Sequence, residues 1–374
     1  MMLLVLFAVL AVSCAELAPL MTDNEPVPGS YIVVLEDNVD VDQFASSLQM
    51  MALTNDVSTM EIKWKYSFGL AIRSFPDANV NLLQGLKGVK YVEQDGVVKA
   101  LQGVGSWGLD RIDQRGATLD NMYSYTSTGK DIPVWVIDTG INYDHVDVLG
   151  RAELFFDYEN GDGKDCQGHG SHCAGTVGGT VYGVAKEAHL FSCRTLSCSG
   201  SGYKSDSIEA LNRITASGMG PGVVSMSLGG STSDAQDTAV ANCVAAGYVV
   251  SVAAGNDNSN ACNGSPARAP EAITVGATQT GDSRASYSNY GTCVDIFAPG
   301  SSITSIDYRR NSGTSVKSGT SMACPHVSGA AAKIFATNPG WSPGQVENEM
   351  KSVATTNAVG NPGSGSPNLL LYSK

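Results

Sequence analysis

The chain has 374 residues, 42 of them Gly, with 43% hydrophobic and only 16% charged residues and a net charge of −13. That length allows two to three domains at roughly 150 residues each, and the apolar fraction is too high for a disordered chain. With 36 acidic against 23 basic residues, the composition argues against a nucleic-acid partner, which calls for a basic surface.

Residues 1–15 carry no charge and contain the run LLVLFAVLAV, followed by Ser13 and Ala15 at the spacing of a signal-peptidase site. They read as a signal peptide, which implies secretion or delivery to a vacuolar or lysosomal-type compartment. No later segment approaches the about 18 apolar residues of a membrane span, so no membrane association is expected. Without Cys14, eight cysteines remain, and an even count in a secreted chain permits disulfides whose pairing the count cannot assign.

Residues 29–99 read as a small folded unit. GSYIVVLED is a strand, VDQFASSLQMMAL a helix, KWKYSFGLAIRSF and VKYVEQDGVVK further strands around a short helix NVNLLQGLK. This βαββαβ order predicts a small α+β, ferredoxin-like unit. With 12 acidic and 6 basic residues, positions 16–101 carry −6 of the charge.

From Ile132 onward, apolar strands (IPVWVID, HLFSCRTL, VVSMSLG, GYVVSVAAG, AITVGA, VDIFAPG) alternate with small-residue helices such as SDSIEALNRITAS and DAQDTAVANCVAAG. Short continuous apolar strands with helices between them predict an α/β fold, a doubly wound parallel sheet covered on both faces. Ligands of such sheets bind beyond the carboxyl ends of the strands, so polar residues there matter. Asp138 ends VWVID; His169 lies in GHGSHCAGTVGG; Ser321 opens the longest helical pattern, SMACPHVSGAAAKIFATN. Taken singly, each is as readily a cap or turn residue. Together they supply a serine nucleophile, an imidazole to take its proton and a carboxylate to orient that imidazole.

IDTGIN, GHGSHCAGT and GTSMACPHVSG resemble the three signature blocks of the subtilisin family of serine proteases, in the family's order. The resemblance covers nearly the whole chain, and SWGLDRIDQR and GHGSHCAG point to the proteinase K branch, with its aqualysin-like members. It implies a three-layer subtilisin-like domain over 102–374, an inhibitory propeptide over 16–101, and self-cleavage between Lys99 and Gly103. It implies a secreted endopeptidase that acts on protein and peptide substrates, as a monomer, with its own propeptide as inhibitor.

Residue by residue, the resemblance makes Asp138, His169 and Ser321 the triad and Asn256, in SVAAGNDN, the side-chain oxyanion donor. Gly200, Ser201 and Gly202 match one substrate-binding segment, and Ser227, Leu228 and Gly229 the other. Ala253, Ala254 and Gly255 match a wall of the pocket for the residue before the scissile bond; small walls imply room for apolar and aromatic side chains, and Asp257 beside them could soften that preference toward basic ones. Cys166 with Cys198 and Cys262 with Cys293 match two disulfides, while Cys173 resembles the unpaired cysteine beneath the catalytic His. Cys193, Cys243 and Cys324 read as buried thiols. Structural Ca2+ is implied at Asp295 with the carbonyls of Pro270 and Ala272, and at Asp110, Asp113 and Gln114; Asp162 and Asp165 offer a third set. Asn263-Gly264-Ser265 is a glycosylation sequon.

Three other readings compete. Cys166, His169, His172 and Cys173 have zinc-ligand types, although zinc would sequester the His that the serine needs. Gly103 to Gly108 formally matches GxGxxG, but the following LDRIDQRG does not read as a helix and Trp107 would obstruct a pyrophosphate. A catalytically dead relative acting as a binding protein would not need Asp138, His169, Ser321 and Asn256 intact.

Overall fold

The computed structural model describes residues 17–22, 26–55, 57–96 and 105–374, and the chain divides into two units, residues 1–100 and 101–374. The expected signal peptide and the expected cleavage between Lys99 and Gly103 lie outside the described residues.

In the first unit, strands Pro26–Leu35, Glu61–Tyr66, Gly69–Arg73 and Val89–Gly96 and helices Val41–Thr54 and Val80–Gln84 follow the βαββαβ order. The longer helix starts where Asp40 accepts from the Gln43 amide, and it buries Phe44, Ala45, Leu48 and Ala52 at helical spacing. Pro26–Leu35 pairs antiparallel with Val89–Gly96 on one side and Gly69–Arg73 on the other, with Glu61–Tyr66 at the edge. That is the split-βαβ arrangement. A two-residue strand, Leu20–Met21, adds a parallel edge beside Val89–Gly96.

The second unit is built on a nine-stranded sheet. In chain order its strands are β1 (Pro133–Asp138), β2 (Ala152–Asp157), β3 (His189–Arg194), β4 (Gly222–Met226), β5 (Tyr248–Ala253), β6 (Ile273–Thr278), β7 (Ile296–Pro299), β8 (Thr355–Thr356) and β9 (Leu369–Leu370). Their spatial order is β8-β9-β7-β6-β5-β4-β1-β3-β2, parallel throughout except for the β8–β9 pair. Alternate residues of β1 enter opposite cores: Val134 and Val136 on one face, Trp135 and Ile137 on the other. Helices α1 (Trp107–Ile112), α2 (His169–Gly178), α5 (Thr320–Thr337) and α6 (Pro343–Val353) cover the first face. Helices α3 (Lys204–Ser217) and α4 (Asp234–Ala245) cover the second.

The chain leaves β1 toward β2 and β3 on one side and returns to β4 on the other, so a topological switch point lies between β1 and β4. Asp138 ends β1 and Ser227 follows β4 directly. Cys166 is bonded to Cys198 and Cys262 to Cys293, while Cys173, Cys193, Cys243 and Cys324 are free and buried.

Several elements differ from the sequence expectation. LDRI is helical after all: Ser106 accepts from the Gly108 amide and caps α1. Edge strand β2 was not foreseen because Glu153 and Leu154 face solvent, and α6 because its buried stripe is only Val346 and Met350.

Candidate active site

At the end of β1, Asp138 is fully buried, and its two oxygens lie 2.8 and 2.9 Å from His169 Nδ1 while Oδ1 also accepts from the Thr139 amide. The contact requires the start of α2 to approach the turn after β1 closely. Gly170 permits it, because a Cβ there would lie 2.3 Å from the Gly140 carbonyl. Asp165 anchors the same helix start, accepting from the amides of Gln167, Gly168 and Ser171 and from the Thr139 hydroxyl. Three of these bonds fall on Oδ1 and one on Oδ2, so Asp165 serves donors of the chain itself.

Burial opposes a charge on His169, but Asp138 outweighs it and holds the imidazole well above its ordinary value. One turn on, the Cys173 thiol lies 3.9 Å from His169 Nδ1 and donates to the Ser321 carbonyl at 3.4 Å. Ser321 stands in the first turn of α5, whose amides have no intrahelical acceptor. Its hydroxyl donates to the Ser227 carbonyl at 3.1 Å rather than to His169.

Asn256 follows β5 across a turn. Its Oδ1 accepts from the Thr320 amide at 2.8 Å and from the Thr320 hydroxyl at 3.0 Å. Since an amide N–H can only donate, the side chain is oriented with Nδ2 left as its donor, and Asn256 lines the same cavity as Ser321.

Two cavities meet at Ser227–Gly230. One, about 580 Å³, is walled by Ala253, Ala254 and Gly255, reaches Asn256 and Ser321, and ends among Asp257, Asn260 and Asn263. These polar residues were not anticipated as lining, apart from Asp257; a glycan on Asn263 would obstruct this cavity. The other, about 420 Å³, runs from His169 between Gly200–Gly202 and Leu228–Gly229. Its Gly200 loop is pinned by the Cys166–Cys198 bond.

The zinc reading fails on its ligands. Cys166 is in a disulfide, and His172 Nε2 contacts the Ile303 carbonyl at 2.9 Å, burial pushing this imidazole down to about 3. Asp138, His169 and Cys173 do converge within 4.8 Å, but Asp138 and His169 are already engaged with each other.

The calcium sets differ in fit. Asp113 Oδ1 is buried with no partner, burial pushes its carboxyl up to about 6, and Asp110 and Asp120 lie close enough to add to that rise. Asp110 is raised too, chiefly by burial. Gln114 Nε2 donates to the Thr118 carbonyl. A loop with an orphaned carboxylate oxygen and neighbouring acids suits a hard cation. Asp295 does not offer such a vacancy: Oδ1 accepts from Lys351 Nζ at 2.8 Å and Oδ2 from the Thr274 amide at 2.8 Å. Lys351 Nζ also donates to Glu347 at 2.6 Å, so one ammonium serves two carboxylates at the place where Asp295 was expected to hold calcium with the carbonyls of Pro270 and Ala272.

The subtilase family model matches residues 129–368. The chain is 46% identical over 371 residues to an extracellular serine proteinase of Thermus sp. (strain Rt41A), covering 93% of this chain and 90% of that one. It is 48% identical over 295 residues to alkaline serine exoprotease A of Vibrio alginolyticus, covering 76% of this chain and 55% of that one. The crystal structure of a cold-adapted subtilisin-like serine proteinase superposes with a TM-score of 0.70 at 47% identity, over 72% of this chain and 98% of that one. The chain belongs to the subtilase family and is a serine-type endopeptidase.

Proposed function

We propose that this protein is a secreted endopeptidase in which Asp138, His169 and Ser321 form the triad and Asn256 serves the oxyanion. The observation that carries this reading is the buried Asp138 carboxylate on His169 Nδ1. It leaves Nε2 as the free nitrogen of the ring. In the reaction the Ser321 hydroxyl leaves the Ser227 carbonyl, gives its proton to Nε2 and attacks the peptide carbonyl. Asp138 fixes the tautomer and stabilises the imidazolium, while Asn256 Nδ2 and the Ser321 amide receive the developing oxyanion. His169 then protonates the leaving amine, and water repeats the sequence on the acyl-enzyme.

The substrate lies as an added strand between Gly200–Gly202 and Ser227–Gly229. The residue before the scissile bond enters the cavity walled by Ala253 and Ala254, where large apolar or aromatic side chains fit. Residues 16–101 act as an intramolecular inhibitor that is removed by self-cleavage. Asp110 and Asp113 would hold calcium, which would stabilise the fold without touching the chemistry.

A fluorophosphonate probe tests the reading: it should label the mature enzyme and not Ser321→Ala, whose precursor should stay uncleaved. A mature form that resists labelling overturns it and favours the binding-protein alternative.

A further inference from the structure

The loop that carries Asn256, residues 254–259, follows β5 and forms neither helix nor strand. Its backbone groups must therefore find partners outside regular structure. Four of them converge on one residue that the mechanism does not use, Asn289. Its Oδ1 accepts from the Asp257 and Ser259 amides, each at 3.0 Å, and its Nδ2 donates to the Ala254 carbonyl at 2.9 Å. Its own amide donates to the Gly255 carbonyl at 2.9 Å. Amides only donate and a carbonyl only accepts, so the orientation of the Asn289 side chain is fixed.

These bonds fall on 254 and 255 before Asn256 and on 257 and 259 after it. Asn289 thus holds the main chain on both sides of Asn256, while Thr320 holds its side chain. The approach is close: Gly255 has φ +103°, and a Cβ there would lie 2.4 Å from Asn289 Nδ2. Asn289 lines the same cavity as Asn256 but is only 6% exposed. Without its side chain, the Ala254 carbonyl and the Asp257 and Ser259 amides would each lose a partner, and the loop would shift to find others. An oxyanion donor works only within about 2.7–3.1 Å of the developing charge, and a displacement of about 1 Å costs about 10²-fold.

We propose that Asn289 is a positioning residue, which holds the loop of Asn256 so that Nδ2 meets the oxyanion of the transition state. The inference rests on the peptidase reading above and deepens its oxyanion site. Asn289 acts through Asn256, so its contribution to turnover exists only where the Asn256 amide is present.

The test is a double-mutant cycle on the mature enzyme with one peptide substrate, active sites being counted with the fluorophosphonate so that kcat refers to folded copies. Asn289→Ala should lower kcat about 10²-fold, no more than Asn256→Ala does, with KM changed less than about 3-fold. In the Asn256→Ala background the same substitution should lower kcat by less than about 3-fold. Asn289→Asp carries the cycle where Asn289→Ala does not fold: it keeps the acceptor of the Asp257 and Ser259 amides and loses only the donor to Ala254, so its drop should be smaller and equally absent without Asn256. A drop of the same size in both backgrounds overturns the proposal, because Asn289 then supports the fold or the chemistry by another route. So does a change confined to KM, which would make Asn289 a wall of the cavity and nothing more. Failure of the peptidase reading looks different, since the parent enzyme would then cleave no peptide and bind no probe.

Discussion

Ser227 and Ser321 exchange two hydrogen bonds: the Ser227 hydroxyl donates to the Ser321 carbonyl at 2.9 Å, and the Ser321 hydroxyl donates to the Ser227 carbonyl at 3.1 Å. Pro325 makes the first of these available. It lies four residues after Ser321 inside α5 and has no N–H to give to that carbonyl. The helix bond that proline removes is replaced by a hydroxyl from β4's end and a thiol from α2. Ser321 is thus tied to both neighbouring elements of the site.

Ser227→Ala should lower kcat about 10-fold with KM nearly unchanged, because it removes one hydrogen bond that orients Ser321 and leaves the substrate-pairing backbone in place. Steady-state kinetics on a single peptide substrate checks this; a pure KM effect would contradict the positioning role.

Asp138→Asn should cost about 10⁴-fold in kcat, through the wrong imidazole tautomer rather than through unfolding. The base works when neutral, and Asp138 raises the His169 pKa, so the acid limb of kcat/KM in the parent enzyme lies above the ordinary imidazole value. In Asp138→Asn that limb should move toward acid. A pH–rate profile of both forms reads the shift.

Asn256→Ala should lower kcat roughly 10²–10³-fold, the size seen for this donor in subtilisin. Thr320 would lose the acceptor of its amide at the same time, so Asn256→Asp serves as the second variant: it keeps the acceptor and removes the donor.

Chelation should lower the melting temperature before it alters activity, and Asp113→Asn should abolish most of that response. Lys351→Met should do the opposite at the other loop. With the ammonium gone, Asp295 Oδ1 is freed, and added calcium should raise the melting temperature of this variant more than that of the parent. Equal calcium responses in both would show that Lys351 does not compete for that position.

Lys333 is buried against the Tyr123 hydroxyl and the Ser373 carbonyl, and burial pushes its ammonium down to about 7. The unfolded chain titrates this lysine near 10.4, so between about pH 7 and 10 the unfolded state binds more protons and stability rises with pH. The slope from this residue is at most about 1.4 kcal/mol per pH unit. Lys333→Met in the Ser321→Ala background should melt higher near neutral pH and lose that slope; thermal melts at pH 6.5 and 9.5 decide.

What the sequence reveals follows local pattern. The strand ending in Asp138, the Gly-rich start of α2 and the long helix behind Ser321 announce themselves through apolar runs and small residues, so the sheet and the four central side chains are legible. Contacts made at long range are not. Lys351 reaches Asp295 across 56 positions, and nothing near either residue signals the pair. Asn289 reads as an ordinary turn residue until the chain on both sides of Asn256 closes on it. The edge strand β2 and helix α6 bury too few side chains to leave a periodic trace.

Helix α5 is enclosed along nearly its whole length, from Thr320 to Phe335. Ser321, the proposed nucleophile, therefore rides on an enclosed element of the kind that opens with global unfolding, and local fraying elsewhere leaves it in place. Near its melting temperature a solution of this enzyme holds active copies beside unfolded ones that are its substrates. Heat loss should then accelerate with protein concentration, and the fraction of titratable active sites should track the folded fraction until that digestion takes over.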